Sequence, residues 1–181
     1  MKKNKSLFNN ENNSIKWDAY FMSLAKLSAM RSKDPDTKVG ACIVNSNNYV
    51  VSLGYNGMPT SYKNTRKNND NSFTWERPEN KDEVIKSKYT YVVHAEANAI
   101  INANITSSKI EPGSILYVTH SPCYHCAKLI VQSKIGKVIY EQAYRPEADD
   151  FLASKKIFDA FGIDLVKYDE EFDIELKLKE N

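Results

Sequence analysis

Two cysteines and two histidines crowd the seven residues HSPCYHC, His120 to Cys126, and a further histidine, His94, opens HAE with Glu96 two places on. Cys123 and Cys126 are three apart, so on a helical turn both sulfurs point the same way. Pro122 fixes the approach, and a helix N-terminus favours the thiolate form. Two thiolates and the imidazole of His94, 29 positions before Cys123, make three ligands for zinc. The fourth tetrahedral place is then left to water, as in a catalytic site. A closed structural site with His120 or His125 as fourth ligand is the alternative, but His125 lies between the cysteines and is turned away from their face. Glu96 also favours chemistry. It is superfluous to a structural site, whereas beside an activated water it takes up a proton and passes it to a leaving nitrogen.

These groups need elements to hold them. The spacing of Trp17, Tyr20, Phe21, Leu24, Leu27 and Ser28 predicts a helix whose apolar stripe needs a sheet to cover it. KVGACIVNSNNYVVSLGYNG reads as a hairpin turning at Asn45 to Asn48, with Cys42 packed inside its first run as a small apolar side chain. From Thr60 to Tyr89 the chain is polar and aperiodic, the signature of a functional or mobile loop. HAEANAIINAN is a helix, SILYVT a strand, CYHCAKLIVQS a helix, KVIYE a strand, DDFLASKKIFDAFG a helix stopped by Gly162, and IDLVKY a last strand. Strands joined by crossover helices lie parallel. The expectation is an α/β fold with a mixed five-stranded sheet, helices on both faces, and the site at the carboxyl ends of the strands.

With 181 residues the chain is long enough for one domain with a sizeable core. Residues 1–15 read as disordered, 16–170 as a catalytic domain and 171–181 as a polar tail. A net charge of +2 argues against general nucleic-acid binding. No eighteen-residue apolar run or signal peptide is seen, so no membrane partner is expected and the reading is cytoplasmic. Three cysteines, Cys42, Cys123 and Cys126, suit reduced, ligating thiols better than a disulfide framework.

H-x-E followed by P-C-x-x-C is the signature of the zinc nucleobase deaminases, so the roles given above to His94, Glu96, Cys123 and Cys126 coincide with a known pattern. RSKDPDTKVGACIVN, GYNGMP, HAEANAI and PCYHCAKLI go further. From Trp17 to Tyr168 the chain resembles the deoxycytidylate (dCMP) deaminase family. That resemblance implies a three-layer α/β/α cytidine-deaminase-like fold and hydrolysis of dCMP to dUMP and ammonia, supplying thymidylate synthesis. It also implies one catalytic Zn2+ per subunit, a homo-hexamer, activation by dCTP with Mg2+, and inhibition by dTTP.

Further site residues follow from the same resemblance. A monophosphate needs a cationic or amide-rich cradle, for which Arg31, Ser32 and Lys33 are candidates, although cations also suit a helix C-terminus without any ligand. Asn56 is expected on the sugar or base, with Ala95 also at the substrate, while Gly54, Tyr55, Gly57 and Met58 are expected to line an effector region. Tyr144 is expected to stack on or hydrogen-bond to the nucleotide, with core packing as the bland alternative, and Arg145 is a second phosphate candidate. Position 97 is alanine where relatives often carry leucine or methionine. His120 and His125 are additions that either tune the site or face elsewhere. The competing functional classes are a tRNA adenosine or riboflavin-pathway deaminase and a non-catalytic zinc module.

Overall fold

The computed structural model describes residues 6–60, 75–77, 84–144 and 146–178. β1 (Gly40–Val44) and β2 (Val50–Tyr55) form the expected antiparallel hairpin. The Asn45 side chain accepts from the amides of Asn47 and Tyr49, and Asn48 takes the left-handed conformation that asparagine tolerates in a tight turn. β1 also pairs antiparallel with β3 (Ile115–His120), and β4 (Lys137–Gln142) and β5 (Asp164–Lys167) continue parallel to β3. The sheet order is β2-β1-β3-β4-β5. The parallel half is built by two crossover helices, α4 (Tyr124–Gln132) and α5 (Asp149–Phe161).

Every residue of β1 is buried, because it has a strand on each side and helices on both faces. Its side chains alternate accordingly. Ala41 and Ile43 join Leu116, Val118 and Val138 under α3 (Ala95–Ile105), α4 and α5. Cys42 and Val44 join Tyr117 and Ile139 under α1 (Trp17–Ala29). Three layers result, as the sequence implied.

The buried face of α1 departs from the expected stripe. Phe21, Met22, Ala25, Ser28 and Ala29 face the sheet, while Trp17 and Leu27 are exposed. Close approach is the cause: a Cβ at Gly40 would collide with the backbone of Ala25 and Ala29, so the helix turns its small residues inward. Trp17 and Tyr20 lie against Phe21 at the surface instead.

Helix α3 sits equally tight on β2. Its buried residues include Ala95, Ala99 and Ala103, and a Cβ at Gly54 would strike the backbone of Ala95 and Ala99. Asn98 and Asn102 donate to the carbonyls of Tyr55 and Leu53, and Ser52 Oγ donates to the carbonyl of Ala99. Otherwise unpaired groups on the edge strand are thereby satisfied, and the helix is fixed in register.

In the N-terminal segment, where polarity pointed to disorder, residues 6–15 carry an antiparallel bridge between Phe8 and Ile15. At the start of the tail, Phe172 packs on Tyr168 and beneath the Lys26 ammonium. Most of the 60–89 loop lies outside the described residues. Its described end is a 3-10 turn at Val84–Lys86, followed by the one-turn helix α2 (Lys88–Tyr91), capped by the Ser87 hydroxyl. Among the described residues, no helix is long and apolar enough to cross a membrane.

Candidate active site

Two helices begin at the carboxyl end of the sheet. His94 is the N-cap of α3 and Cys123 the N-cap of α4, and neither side chain caps its own helix. Both are free to face each other instead. His94 Nδ1 lies 3.5 Å from Cys123 Sγ and 3.4 Å from Cys126 Sγ, and the three ligand atoms fall within 4.8 Å of one another. Tetrahedral zinc, with bonds of about 2.3 Å to sulfur and about 2.0 Å to nitrogen, separates such atoms by roughly 3.5 Å. The donor set and its spacing therefore fit zinc.

Without an ion the three groups share protons among themselves. Cys126 and His94 hydrogen-bond to Cys123 and, against burial, bring its thiol down to about 3. The Cys123 thiolate in turn raises His94 to about 9. Cys126 is pushed up by its hydrogen bond to Cys123 and by burial. Metal binding must displace the protons of Cys126 and His94. Glu96, in the first turn of α3, is buried, and burial raises its carboxyl against the opposing pull of His94. A carboxyl in that environment retains a proton that an exposed one would release.

His94, Glu96 and Cys123 form one side of a cavity of about 400 Å³, with Cys126 buried behind them. His120, Pro122, Tyr124, His125, Tyr144 and Phe151 line it from the β3, α4, β4 and α5 side, and Asp34, Thr37, Val39 and Asn56 from the loop after α1 and the end of β2. Arg77, Lys88, Tyr89 and Val92 line it from the segment before α3, and Ser121 and the Asp150 carboxylate add polar groups to the wall. His120 and His125 thus reach the cavity, yet both are outside the three-ligand cluster. The His125 ring lies against Tyr124, and burial lowers the basicity of His120.

Asn56 reaches the cavity wall, and its amide also brackets the loop after α1. Its Oδ1 accepts from Val39 N and its Nδ2 donates to the Thr37 carbonyl, each at 2.9 Å. Ser32 is buried behind it, donating to the Asn56 carbonyl and accepting from Asp34 N. Ser32 is therefore placed to shape the wall from behind. Arg31 and Lys33 are exposed and off the cavity wall. Ala95 is buried in the core under the cavity. Tyr144 lines the cavity, its amide held by Ser121 Oγ and its ring 6.1 Å from His120.

Arg145 lies outside the described residues. Of the expected effector segment, Gly54 is occupied by packing on α3, the Tyr55 carbonyl by Asn98, and Gly57 by a bridge to Val93. Neither these three nor Met58 lines the cavity. Cys42 is buried among apolar groups, and burial pushes its thiol up to about 12.

Sequence reasoning missed the polar cluster on the opposite wall. The Lys88 ammonium contacts Asp34 Oδ1 at 2.7 Å and Asp36 Oδ2 at 2.8 Å, and Arg77 Nε contacts Asp36 Oδ2 at 3.1 Å. Asp34 stood within RSKDP and was available as a clue. Lys88 and Arg77 lay in aperiodic polar sequence without one.

The cytidine and deoxycytidylate deaminase zinc-binding region matches residues 15–142, which contain the whole cluster. The chain belongs to this deaminase family. Human deoxycytidylate deaminase is 44% identical over 155 residues, spanning 85% of this chain and 80% of the human protein. A probable deoxycytidylate deaminase of Drosophila melanogaster is 43% identical over 157 residues, spanning 85% of this chain and 73% of that protein. Among solved structures, the dCMP deaminase of cyanophage S-TIM5 in complex with dCMP and dUMP superposes with a TM-score of 0.61 at 29% identity. It covers 82% of this chain and 94% of that one. The cluster that could hold the metal is assembled by two helix N-termini, with Glu96 buried beside it.

Proposed function

We propose that the chain hydrolyses dCMP to dUMP and ammonia. The observation that carries this reading is the His94, Cys123 and Cys126 cluster with Glu96 buried beside it, on the wall of a cavity sized for one nucleotide, in a member of this family. The substrate follows from relatives named as deoxycytidylate deaminases at 41–44% identity.

Zinc held by His94, Cys123 and Cys126 would supply the Lewis acidity that makes water nucleophilic at neutral pH. Glu96 carries the protons. It takes one from the attacking water and delivers it to N3 of the cytosine as oxygen adds at C4, then takes a second from the new C4 hydroxyl and delivers it to the amino group as the C4–N bond breaks and the C4 carbonyl forms. Asn56 and Thr37 shape the opposite wall, and Tyr144 presents an aromatic face to the base.

The product would serve thymidylate synthesis, and the thiol ligands suit a reducing, cytoplasmic setting. Activation by dCTP with Mg2+ and inhibition by dTTP belong to the same reading, supported by the likeness of GYNGMP to the family segment. So does a homo-hexamer, for which exposed Leu53 and Tyr55 on β2 and Ile101 and Ile105 on α3 supply apolar surface.

The test is ammonia release by zinc-loaded protein from dCMP, CMP, dCTP, cytidine, deoxycytidine and tRNA. Release from dCMP well above the rest is expected, and its absence there would overturn the assignment.

A further inference from the structure

A nucleoside monophosphate brings close to two negative charges into a site, so on the dCMP reading the cavity must offer it a cation. Arg31 and Lys33 are off the wall. Among the described lining residues, the permanent cations are Lys88 and Arg77.

Lys88 is fully engaged. Its ammonium has three donors, and Asp34 Oδ1, Asp34 Oδ2 and Asp36 Oδ2 take them at 2.7, 3.0 and 2.8 Å. The side chain is 2% exposed, and drawing it toward a ligand would strand the buried Asp34 carboxylate.

Arg77 differs on each count. Its side chain is 41% exposed, its Nε faces Asp36 Oδ2, and its Nη2 lies 3.4 Å from Thr37 Oγ1. A guanidinium carries five donors in a planar fork, so most of its capacity remains available. Asp36 is half-exposed and already shared with Lys88, so it is not stranded when Arg77 turns away. Thr37 lines the cavity, and its hydroxyl accepts from Arg77 while keeping its own proton to donate. The Tyr89 ring, 5.8 Å from the guanidinium carbon, supports the fork from one side.

We propose that Arg77 reads the substrate's phosphate, exchanging Asp36 for the phosphate oxygens with the Thr37 hydroxyl as second donor. The pair thereby makes the site prefer a nucleotide to a nucleoside while leaving the chemistry at C4 to Glu96 and the metal ligands. The inference rests on the dCMP reading and adds to it the residue that sets this preference.

The experiment measures kcat/KM for dCMP and for deoxycytidine on zinc-loaded wild type, R77A, R77K and D36N. Competition by dUMP against deoxyuridine reads the same preference as binding alone. In R77A the dCMP-to-deoxycytidine ratio should fall about 10- to 100-fold, the size of a lost charge-assisted contact, and the fall should lie in KM. R77K should recover part of it, and D36N should leave the dCMP KM unchanged or lower. An unchanged ratio in R77A would overturn the proposal, as would equal losses on both substrates at full zinc content, or a dCMP KM raised as far by D36N as by R77A. If the wild type releases no ammonia from dCMP, the dCMP reading itself fails and the Arg77 assignment falls with it. A working wild type with an unaltered R77A ratio sinks the Arg77 assignment alone.

Discussion

Lys88 places its ammonium 2.7 Å from Asp34 Oδ1, both side chains buried, although 54 positions separate them in the chain. The contact pins α2 to the loop after α1 and so holds two walls of the cavity together. Lys88→Met removes the counter-charge and leaves Asp34 in a site built for an ion. Breaking a buried pair from one side costs about 3–5 kcal/mol. The low end is expected, because the amides of Asp36 and Thr37 still donate to Asp34. Urea unfolding of zinc-loaded protein measures it, and a loss below about 1 kcal/mol would show that the pair is not structural.

The same pair sets a pH signature. Burial pushes the Asp34 carboxyl up, but Lys88 and the two amides outweigh it and hold the group below its ordinary 3.8. Its contribution to stability is therefore complete above 3.8 and is lost as pH falls through the lowered value. Lys88 is the mirror case. Burial pushes it down, Asp34 and Asp36 hold it above 10.5, and its contribution is complete below 10.5 and lost as pH climbs past the raised value. Unfolding free energies below about pH 4 should fall less steeply in Asp34→Asn than in the wild type. Parallel acid limbs would remove this pair from the account of acid unfolding.

That His94, Cys123 and Cys126 converge was legible because each belongs to a short motif at a helix start, and helix starts after strands gather at one end of an α/β sheet. The strand directions were legible for a similar reason, since crossover helices force β3, β4 and β5 parallel. Lys88 and Arg77 were not. Their contacts reach Asp34, Asp36 and Thr37 from far along the chain, and neither spacing nor composition marks such a pairing. The α1 stripe went wrong because aromatic residues outweigh alanines in any hydrophobic pattern, whereas the glycine beneath α1 demanded the alanines. Arg31 and Lys33 are phosphate candidates by charge and by likeness to the family segment; both are exposed and neither lines this cavity.

Glu96→Gln tests the proton carrier without disturbing the metal. Glutamine keeps the shape of the side chain and has no carboxyl to titrate. Turnover of dCMP should fall by roughly 10²–10⁴, the range for a lost general acid and base, while zinc content by atomic absorption stays at one ion per chain. Wild-type turnover by this variant would remove Glu96 from the chemistry. Loss of zinc in parallel would reassign it to holding the ligands.

Gly54→Ala and Gly57→Ala separate packing from ligand contact in the GYNGMP segment. A methyl at Gly54 meets the backbone of Ala95 and Ala99, and backbone cannot swing aside. Helix α3 must shift, and it carries His94 at its start and Glu96 in its first turn. Overpacking of this kind costs about 1–3 kcal/mol, and zinc affinity and kcat should fall with it. At Gly57 the same methyl finds only Tyr55 Cε2 at 3.9 Å, an ordinary contact, and stability should stay within about 0.5 kcal/mol of the wild type. Urea unfolding and competition for zinc with a chromophoric chelator read both variants. If Gly54→Ala kept stability and zinc affinity but lost its response to dCTP, the glycine would belong to an effector site and not to the seat of α3.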